Sequence, residues 1–181
     1  MTAVSNFDKN GPGIKGNLFG LPCHFEDAEL VVIPVPWEVT VSYREGTAQA
    51  PKAVLDASVQ IDLYHEDIKG IWNLRCALAP IAQNIEEESK KLRVLARQLL
   101  HVVENNGELN SLLPLQTKIN EACKSLNIWL KTQASAYLDQ GKVVGVLGGD
   151  HGTPLGLLQA LSQLYERFGI LQINEITFRS A

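Results

Sequence analysis

The sequence predicts an α/β protein with a three-layer αβα architecture and a mostly parallel sheet. Two continuous β-branched runs, residues 29–33 and 143–147, are typical of strands that are buried on both faces of such a sheet. Two long segments between them, residues 86–106 and 114–140, place apolar side chains on one helical face. Strands that alternate with long helices favour parallel units joined by right-handed crossovers.

The first part of the chain begins with turn-forming residues and then enters the first strand. Residues 1–28 carry many glycines and little apolar periodicity, so we expect an irregular N-terminal arm before the domain of residues 29–173. Pro34 and Pro36 are expected to end the first strand. A long loop follows, and Pro51 occupies the first turn of a predicted short helix over residues 51–58.

The middle of the chain contains the long helices. Residues 60–63 and 75–80 are weaker strand candidates. In the helix over residues 86–106, three glutamates (86–88) lie at the positive end of the helix dipole, which explains them without a metal. Gly141 follows the helix over residues 114–140, in the position of a left-handed C-terminal cap.

The last part of the chain predicts a strand, loop, helix and strand in succession. The strand over residues 143–147 leads into a tight glycine-containing loop over residues 148–153. A helix over residues 154–168, with a proline in its first turn, and a further strand over residues 170–173 complete the unit.

Composition excludes several classes of protein. The 181 residues have a formal net charge of -4, and their basic residues are scattered, so neither a nucleic acid nor an anionic membrane is an expected partner. Three distant cysteines without a C-x-x-C pair suggest neither a disulfide framework nor a cysteine-ligated zinc site. With no apolar leader segment in the polar N-terminus, we expect a cytoplasmic location.

The candidate site is the loop that contains Gly148, Gly149, Asp150 and His151. It directly follows a predicted parallel strand, where ligands bind in open α/β sheets. A histidine nitrogen is a common ligand of divalent metals, and a neighbouring carboxylate can orient the ring. We therefore predict His151 as a metal ligand and Asp150 as its supporting partner. The same residues would also suit an ordinary turn between a strand and a helix.

Several short segments, taken together, resemble the ureohydrolase family of arginase, agmatinase and formimidoylglutamase. In order they are residues 33–36 (IPVP), 42–46 (SYREG), 50–54 (APKAV), 148–151 (GGDH) and 169–173 (GILQI). The resemblance implies a binuclear-metal hydrolase, with two manganese ions, that cleaves a C–N bond of a linear guanidino or amidino compound. It also implies that His151 matches the first metal ligand of the family.

The chain departs from the family pattern after Ile173. The family continues with an Asp-x-His-x-Asp motif and a later Asp-x-Asp pair, but here Asn174 stands where the first aspartate is expected. We therefore interpret residues 174–181 as a non-family tail and expect a reading frame interrupted near codon 173. On this interpretation the sheet is incomplete on its C-terminal side, and the chain alone retains no manganese and is inactive.

Other residues in these segments are assigned structural roles. Arg44 and Gly46 are interpreted as an ion pair and a turn with positive φ, and Trp37 and Tyr43 as packing residues. His24, His65 and His101 lack metal-ligand spacing. A nucleophilic pair of Cys23 and His24 is disfavoured because adjacent loop residues point in different directions.

Three functions remain open from the sequence. The first is family-type hydrolysis of a small guanidino or amidino substrate, with the missing ligands supplied by a second chain. The second is a non-catalytic remnant or a module that associates with intact family members, and it predicts homo-oligomerisation or self-association through an exposed sheet edge. The third is an anion-binding loop at a helix N-terminus, which the carboxylate of Asp150 disfavours.

Overall fold

A computed structural model describes residues 7–41, 44–105, 107–108 and 110–173. The strands are β1 (Leu30–Pro34), β2 (Cys76–Leu78) and β3 (Val143–Leu147). The helices are α1 (Ala50–Ser58), α2 (Gln83–Glu104), α3 (Leu113–Leu138) and α4 (Leu155–Leu164). Short 3-10 turns lie at Leu18–Gly20, Phe25–Asp27, Thr47–Gln49, Ile71–Asn73 and Asn110–Leu112. In these described ranges no helix is long and apolar enough to span a bilayer.

The three strands form one parallel sheet in the order β2-β1-β3. Val31 in the central strand is in register with Ala77 on one side and Val144 on the other. The connection from β1 to β2 contains α1, and the connection from β2 to β3 contains α2 and α3. The predicted parallel pairing of the two β-branched runs is therefore confirmed.

Helices cover both faces of the sheet. On one face, Ile33 and the residues that follow β1 pack against α2, α3 and α4. The buried side chains of this cluster are Ile33, Val35, Trp37, Val39, Ile85, Leu92, Ala96, Ile119, Ala122, Leu126, Leu130, Ala134 and Ala160. On the other face, Leu30 and Val32 pack with Leu55 of α1 and with the buried Leu18 and Leu21 of the N-terminal segment. This arrangement confirms the three-layer α/β fold.

The long helices follow from their sequence periodicity. The buried side chains of α2 and α3 recur at helical spacing, as in Ile85, Leu92 and Ala96. Helix α3 ends where the sequence predicts, because Gly141 adopts a φ of 73° and its N–H donates to the Leu138 carbonyl at 2.9 Å. Both helices therefore begin and end within a few residues of their predicted bounds.

Two predicted strands are wrong. Residues 60–63 form a turn after α1 rather than a strand. Residues 170–173 have no regular structure, and Ile170, Leu171 and Ile173 are 65%, 85% and 85% exposed. The β-branched composition of this segment favours a strand, but a strand forms only when a neighbour satisfies its backbone groups. Helix α4 also stops at Leu164, four residues before its predicted end.

Candidate functional site

The candidate site is the loop over residues 148–154, which leaves the carboxyl end of β3. Gly148 and Gly149 have φ values of 87° and 86°, a region that side chains other than glycine rarely adopt. A Cβ at Gly148 would lie 2.6 Å from Cγ of Pro51, and one at Gly149 would lie 2.2 Å from Oγ1 of Thr153. The close packing of this turn therefore requires both glycines.

Backbone hydrogen bonds join this loop to the segment that follows β1. The N–H of Val35 donates to the Leu147 carbonyl at 2.9 Å, and the N–H of Asp150 donates to the Trp37 carbonyl at 2.9 Å. The N–H of Gly149 reaches the Thr47 carbonyl at 3.3 Å. The loops that follow two adjacent parallel strands thus meet beyond the carboxyl ends of these strands, where α/β proteins place their ligand sites.

The carboxylate of Asp150 holds the loop together. Its Oδ2 accepts hydrogen bonds from the Thr40 hydroxyl at 3.0 Å and the Thr40 N–H at 3.5 Å. Its Oδ1 accepts one from the N–H of Gly152 at 3.2 Å. Asp150 therefore fixes the shape of the turn that presents His151. Its predicted role as the partner that orients the imidazole stays a prediction.

His151 is exposed at the wall of an open groove. The groove has a volume of about 730 Å³ and is bounded by Val146, the loop over residues 148–154, Leu155 and Leu158 of α4, and residues 170–173. Nε2 of His151 is within hydrogen-bond distance, 3.3 Å, of the side-chain amide nitrogen of Gln172, which also lines the groove. The imidazole is thus accessible to a ligand that enters the groove.

The described residues do not fit a two-metal centre by themselves. Among them no group of three or more histidine, cysteine, aspartate or glutamate side chains could hold a metal ion. At this loop the donor set is the imidazole of His151 and the carboxylate of Asp150, whose oxygens already accept hydrogen bonds from Thr40 and Gly152. Two bridged cations need several carboxylates as well as imidazole.

A second carboxylate, which the sequence did not single out, shapes the loop after β1. Oε2 of Glu38 accepts hydrogen bonds from the N–H of Gly46 at 2.7 Å and of Ala48 at 3.2 Å. The Glu38 N–H in turn donates to the hydroxyl of Ser89 in α2 at 3.0 Å. The sequence does contain a feature that could have pointed to Glu38. It is an acidic residue close to the Gly46-Thr47 turn, and the free N–H groups at the start of a helical turn attract a carboxylate.

The same loop is tied to α2 by an ion-pair cluster. Glu45 pairs with Arg97 and, at 3.2 Å, with Arg93, which also donates to the Val39 carbonyl at 3.0 Å. The hydrogen bond from Arg97 holds the pKa of the Glu45 carboxyl below its usual range, and Arg93 adds to the effect. These contacts position the loop beside the site, and none of their side chains lines the groove.

The structure places the remaining loop residues as follows. Gly46 has a φ of 121°, which confirms the predicted positive-φ turn. Trp37 is 1% exposed in the core cluster, so its packing role is also confirmed. Tyr43 lies outside the described residues. The ion pair predicted for Arg44 stays a prediction.

In the described part of the chain, the cysteines and the other histidines form no group of three or more metal-ligating side chains with His151. The Cys23 thiol donates to the backbone carbonyl of His24 at 3.3 Å, a contact that does not involve the imidazole. Burial raises the pKa of the Cys76 thiol to about 11. Burial also raises the pKa of the Cys123 thiol, and the negative charge of Asp150 adds to that effect. Because a raised pKa keeps a thiol protonated, Cys76 and Cys123 are not expected to form reactive thiolates.

Comparisons with known proteins point in one direction. A family model described as the arginase family matches residues 28–174. An N(1)-aminopropylagmatine ureohydrolase of Synechocystis is 28% identical over 158 residues, which cover 83% of this chain and 40% of that protein. One of Thermus thermophilus is 23% identical over 150 residues, with 83% and 40% covered. The chain thus spans about 40% of the length of these relatives. No solved structure matches.

Proposed function

Because the chain belongs to the arginase family, we propose that it forms the N-terminal part of a metal-dependent hydrolase that cleaves a C–N bond of a linear guanidino or amidino compound. One observation supports this proposal most directly. The loop with Gly148, Gly149, Asp150 and His151 leaves the carboxyl end of a parallel strand and presents an imidazole to a groove of about 730 Å³.

In this proposal each residue of the loop has one role. The two glycines allow the turn, Asp150 fixes its shape through Thr40 and Gly152, and His151 supplies one ligand to the manganese centre of the family. The other ligands must come from outside the described residues, since these offer no further cluster of donors. The chain by itself is therefore expected to retain no manganese pair and to be inactive.

The substrate class follows from the relatives and the groove. The curated relatives are named for the hydrolysis of N(1)-aminopropylagmatine, a guanidino compound. The groove has aliphatic walls at Val146, Leu155 and Leu158, and these suit the methylene chain of such a compound. We propose a guanidino compound with an aliphatic chain, and N(1)-aminopropylagmatine is the first one to test.

The test combines metal content with activity. After incubation with Mn²⁺ and dialysis, we expect far less than two ions per chain and no urea release from N(1)-aminopropylagmatine, agmatine or arginine. Weak Mn²⁺ binding before dialysis, followed by electron paramagnetic resonance, should disappear in His151→Ala and persist in the control His65→Ala. Two retained ions with turnover that depends on His151 would contradict the proposed incompleteness, and binding unaffected by His151→Ala would contradict the assigned ligand.

A second candidate is a non-catalytic module that associates with intact family members. The observation that favours it is β3, whose outer edge pairs with no strand in the described part of the chain. Co-sedimentation with a full-length arginase-family enzyme would separate the two candidates. A stable mixed complex without any gain in metal binding or urea release would favour the non-catalytic module.

A further inference from the structure

Residues 37–40, which we call the strap, bond on one side to the loop over residues 148–154. The Trp37 carbonyl accepts a hydrogen bond from the Asp150 N–H at 2.9 Å. The Thr40 hydroxyl donates to Oδ2 of Asp150 at 3.0 Å. The two ends of the strap therefore hold Asp150 by its backbone and by its side chain.

The two middle residues of the strap bond to α2. The Glu38 N–H donates to the Ser89 hydroxyl at 3.0 Å, and the Val39 carbonyl accepts from Nη1 of Arg93 at 3.0 Å. Ser89 is 1% exposed and the side chain of Arg93 is 11% exposed. Both partners on α2 are thus largely shielded from water, where a hydrogen bond is stronger than at the surface.

These contacts form a continuous path from α2 to the backbone of His151. Asp150 directly precedes His151, and its Oδ1 accepts a hydrogen bond from the N–H of Gly152 at 3.2 Å. A short polar side chain that bonds to the backbone two residues on fixes the turn between them. His151 therefore lies inside a turn whose carboxylate is itself held by the strap, and the strap is held by α2.

We propose that Arg93 and Thr40 are positioning residues, through which α2 holds the backbone of His151 in place. The inference rests on the proposed function for the task of His151. In that function the exposed imidazole must stay within about 0.5 Å of its working position, which requires supporting contacts behind its loop. Neither Arg93 nor Thr40 lines the groove, so both act through Asp150 rather than on a ligand.

Arg97 provides a matched control for Arg93. Both arginines lie on α2 and pair with Glu45, and Arg93 in addition donates to the Val39 carbonyl of the strap. Arg93→Met and Arg97→Met each remove one positive charge and one partner of Glu45. Arg93→Met also removes the hydrogen bond to the strap, so a difference between the two variants measures the contribution of that bond.

The measurement is ¹⁵N relaxation of the folded chain, which gives an order parameter for the amide of His151. In Arg93→Met this value should fall from about 0.85, which is typical of rigid backbone, to below about 0.6, and in Arg97→Met it should not change. Order parameters report motion within the folded state, so a general loss of stability does not produce this result. Hydrogen exchange of the Asp150 amide should also accelerate about tenfold in Arg93→Met and less than about twofold in Arg97→Met.

Thr40 tests the other end of the path and remains decisive if Arg93→Met fails to fold. Thr40→Val removes the hydroxyl and should lower the order parameter of His151, whereas Thr40→Ser keeps the hydroxyl and should restore it. Thr132→Val is the control, because the Thr132 hydroxyl bonds to the Ile128 carbonyl within α3, and it should change nothing.

Two results would overturn the proposal. One is an order parameter of His151 that stays the same in Arg93→Met and Thr40→Val, and the other is an equal fall in Arg97→Met. None of these measurements uses a metal or a substrate. If His151 proved not to be a metal ligand, the proposed function would fail while the predicted loss of order in Arg93→Met and Thr40→Val would still be observed, so the two failures are distinguishable.

Discussion

Strands β1 and β3 pair with each other and have similar sequences, yet their burial differs. In β1, Val31 and Ile33 are 0% and 2% exposed, whereas in β3 Val143 is 64% exposed and every other residue is partly exposed. The difference comes from their neighbours, because in the described part of the chain β1 lies between two strands and β3 pairs with β1 alone. An apolar run thus predicts that a strand forms. How deeply that strand is buried depends on the strands and helices that pack beside it, and the run does not specify these.

The largest contrast should come from placing a charge in each strand. Val31→Asp puts a carboxylate among Ala28, Ala77 and Ala79 in a closed cluster and should cost about 4 kcal/mol or more. Val143→Asp leaves the new carboxylate in water and should cost less than about 1 kcal/mol. Urea denaturation followed by circular dichroism measures both. Equal costs would show that β3 is as buried as β1, and would remove the basis of the comparison.

A smaller contrast is expected between two glycines that are four residues apart. Gly149→Ala introduces a Cβ 2.2 Å from Oγ1 of Thr153 at a positive φ, and we expect a loss of about 3 kcal/mol. Gly145→Ala, inside β3, meets an ordinary contact at 3.6 Å and should change stability by no more than about 0.5 kcal/mol. The same urea titrations apply. A tolerated Gly149→Ala would mean that the turn after β3 relaxes more easily than its packing indicates.

The smallest expected effect is a difference in cysteine reactivity between β2 and β3, the two outer strands of the described sheet. Burial raises the pKa of the Cys76 thiol of β2 to about 11 in the folded chain, from an ordinary value of about 9. Ionisation therefore favours the unfolded chain, so the stability that Cys76 contributes is present below pH 9 and is lost as the pH rises towards 11. Peptide mapping after alkylation near pH 9 should find Cys76 protected and a cysteine introduced by Val143→Cys modified. Equal rates would show that the β2 edge is open as well.

Most of the fold could be predicted, because local sequence carries the necessary information. The periodicity of α2 and α3 and the continuous apolar runs of β1 and β3 identify these elements within a few residues. Residues 170–173 show the limit of this reasoning. Their composition is that of a strand, but in the described structure their backbone has no strand to pair with, and pairing is a property of the whole fold.

The site could be located but not fully described from the sequence. The two glycines and the strand before them predicted a turn at the carboxyl end of a parallel sheet, which is where His151 lies. The partners of the carboxylates were not predictable in the same way. Asp150 accepts a hydrogen bond from Thr40, which is 110 positions away in the sequence. Glu38 accepts hydrogen bonds from backbone N–H groups, which every sequence possesses and which therefore leave no signal in the residue types.

The long separation between Thr40 and Asp150 also determines when the site can form during synthesis. This separation of 110 positions requires roughly 5–20 s of translation at ordinary rates. Until β3 leaves the ribosome, β1 has an unpaired side, and the segment after β1 lacks the backbone partners that Leu147 and Asp150 later provide. A nascent chain of this protein therefore carries an unprotected apolar strand for many seconds, a period in which chaperones that bind extended apolar segments have time to act.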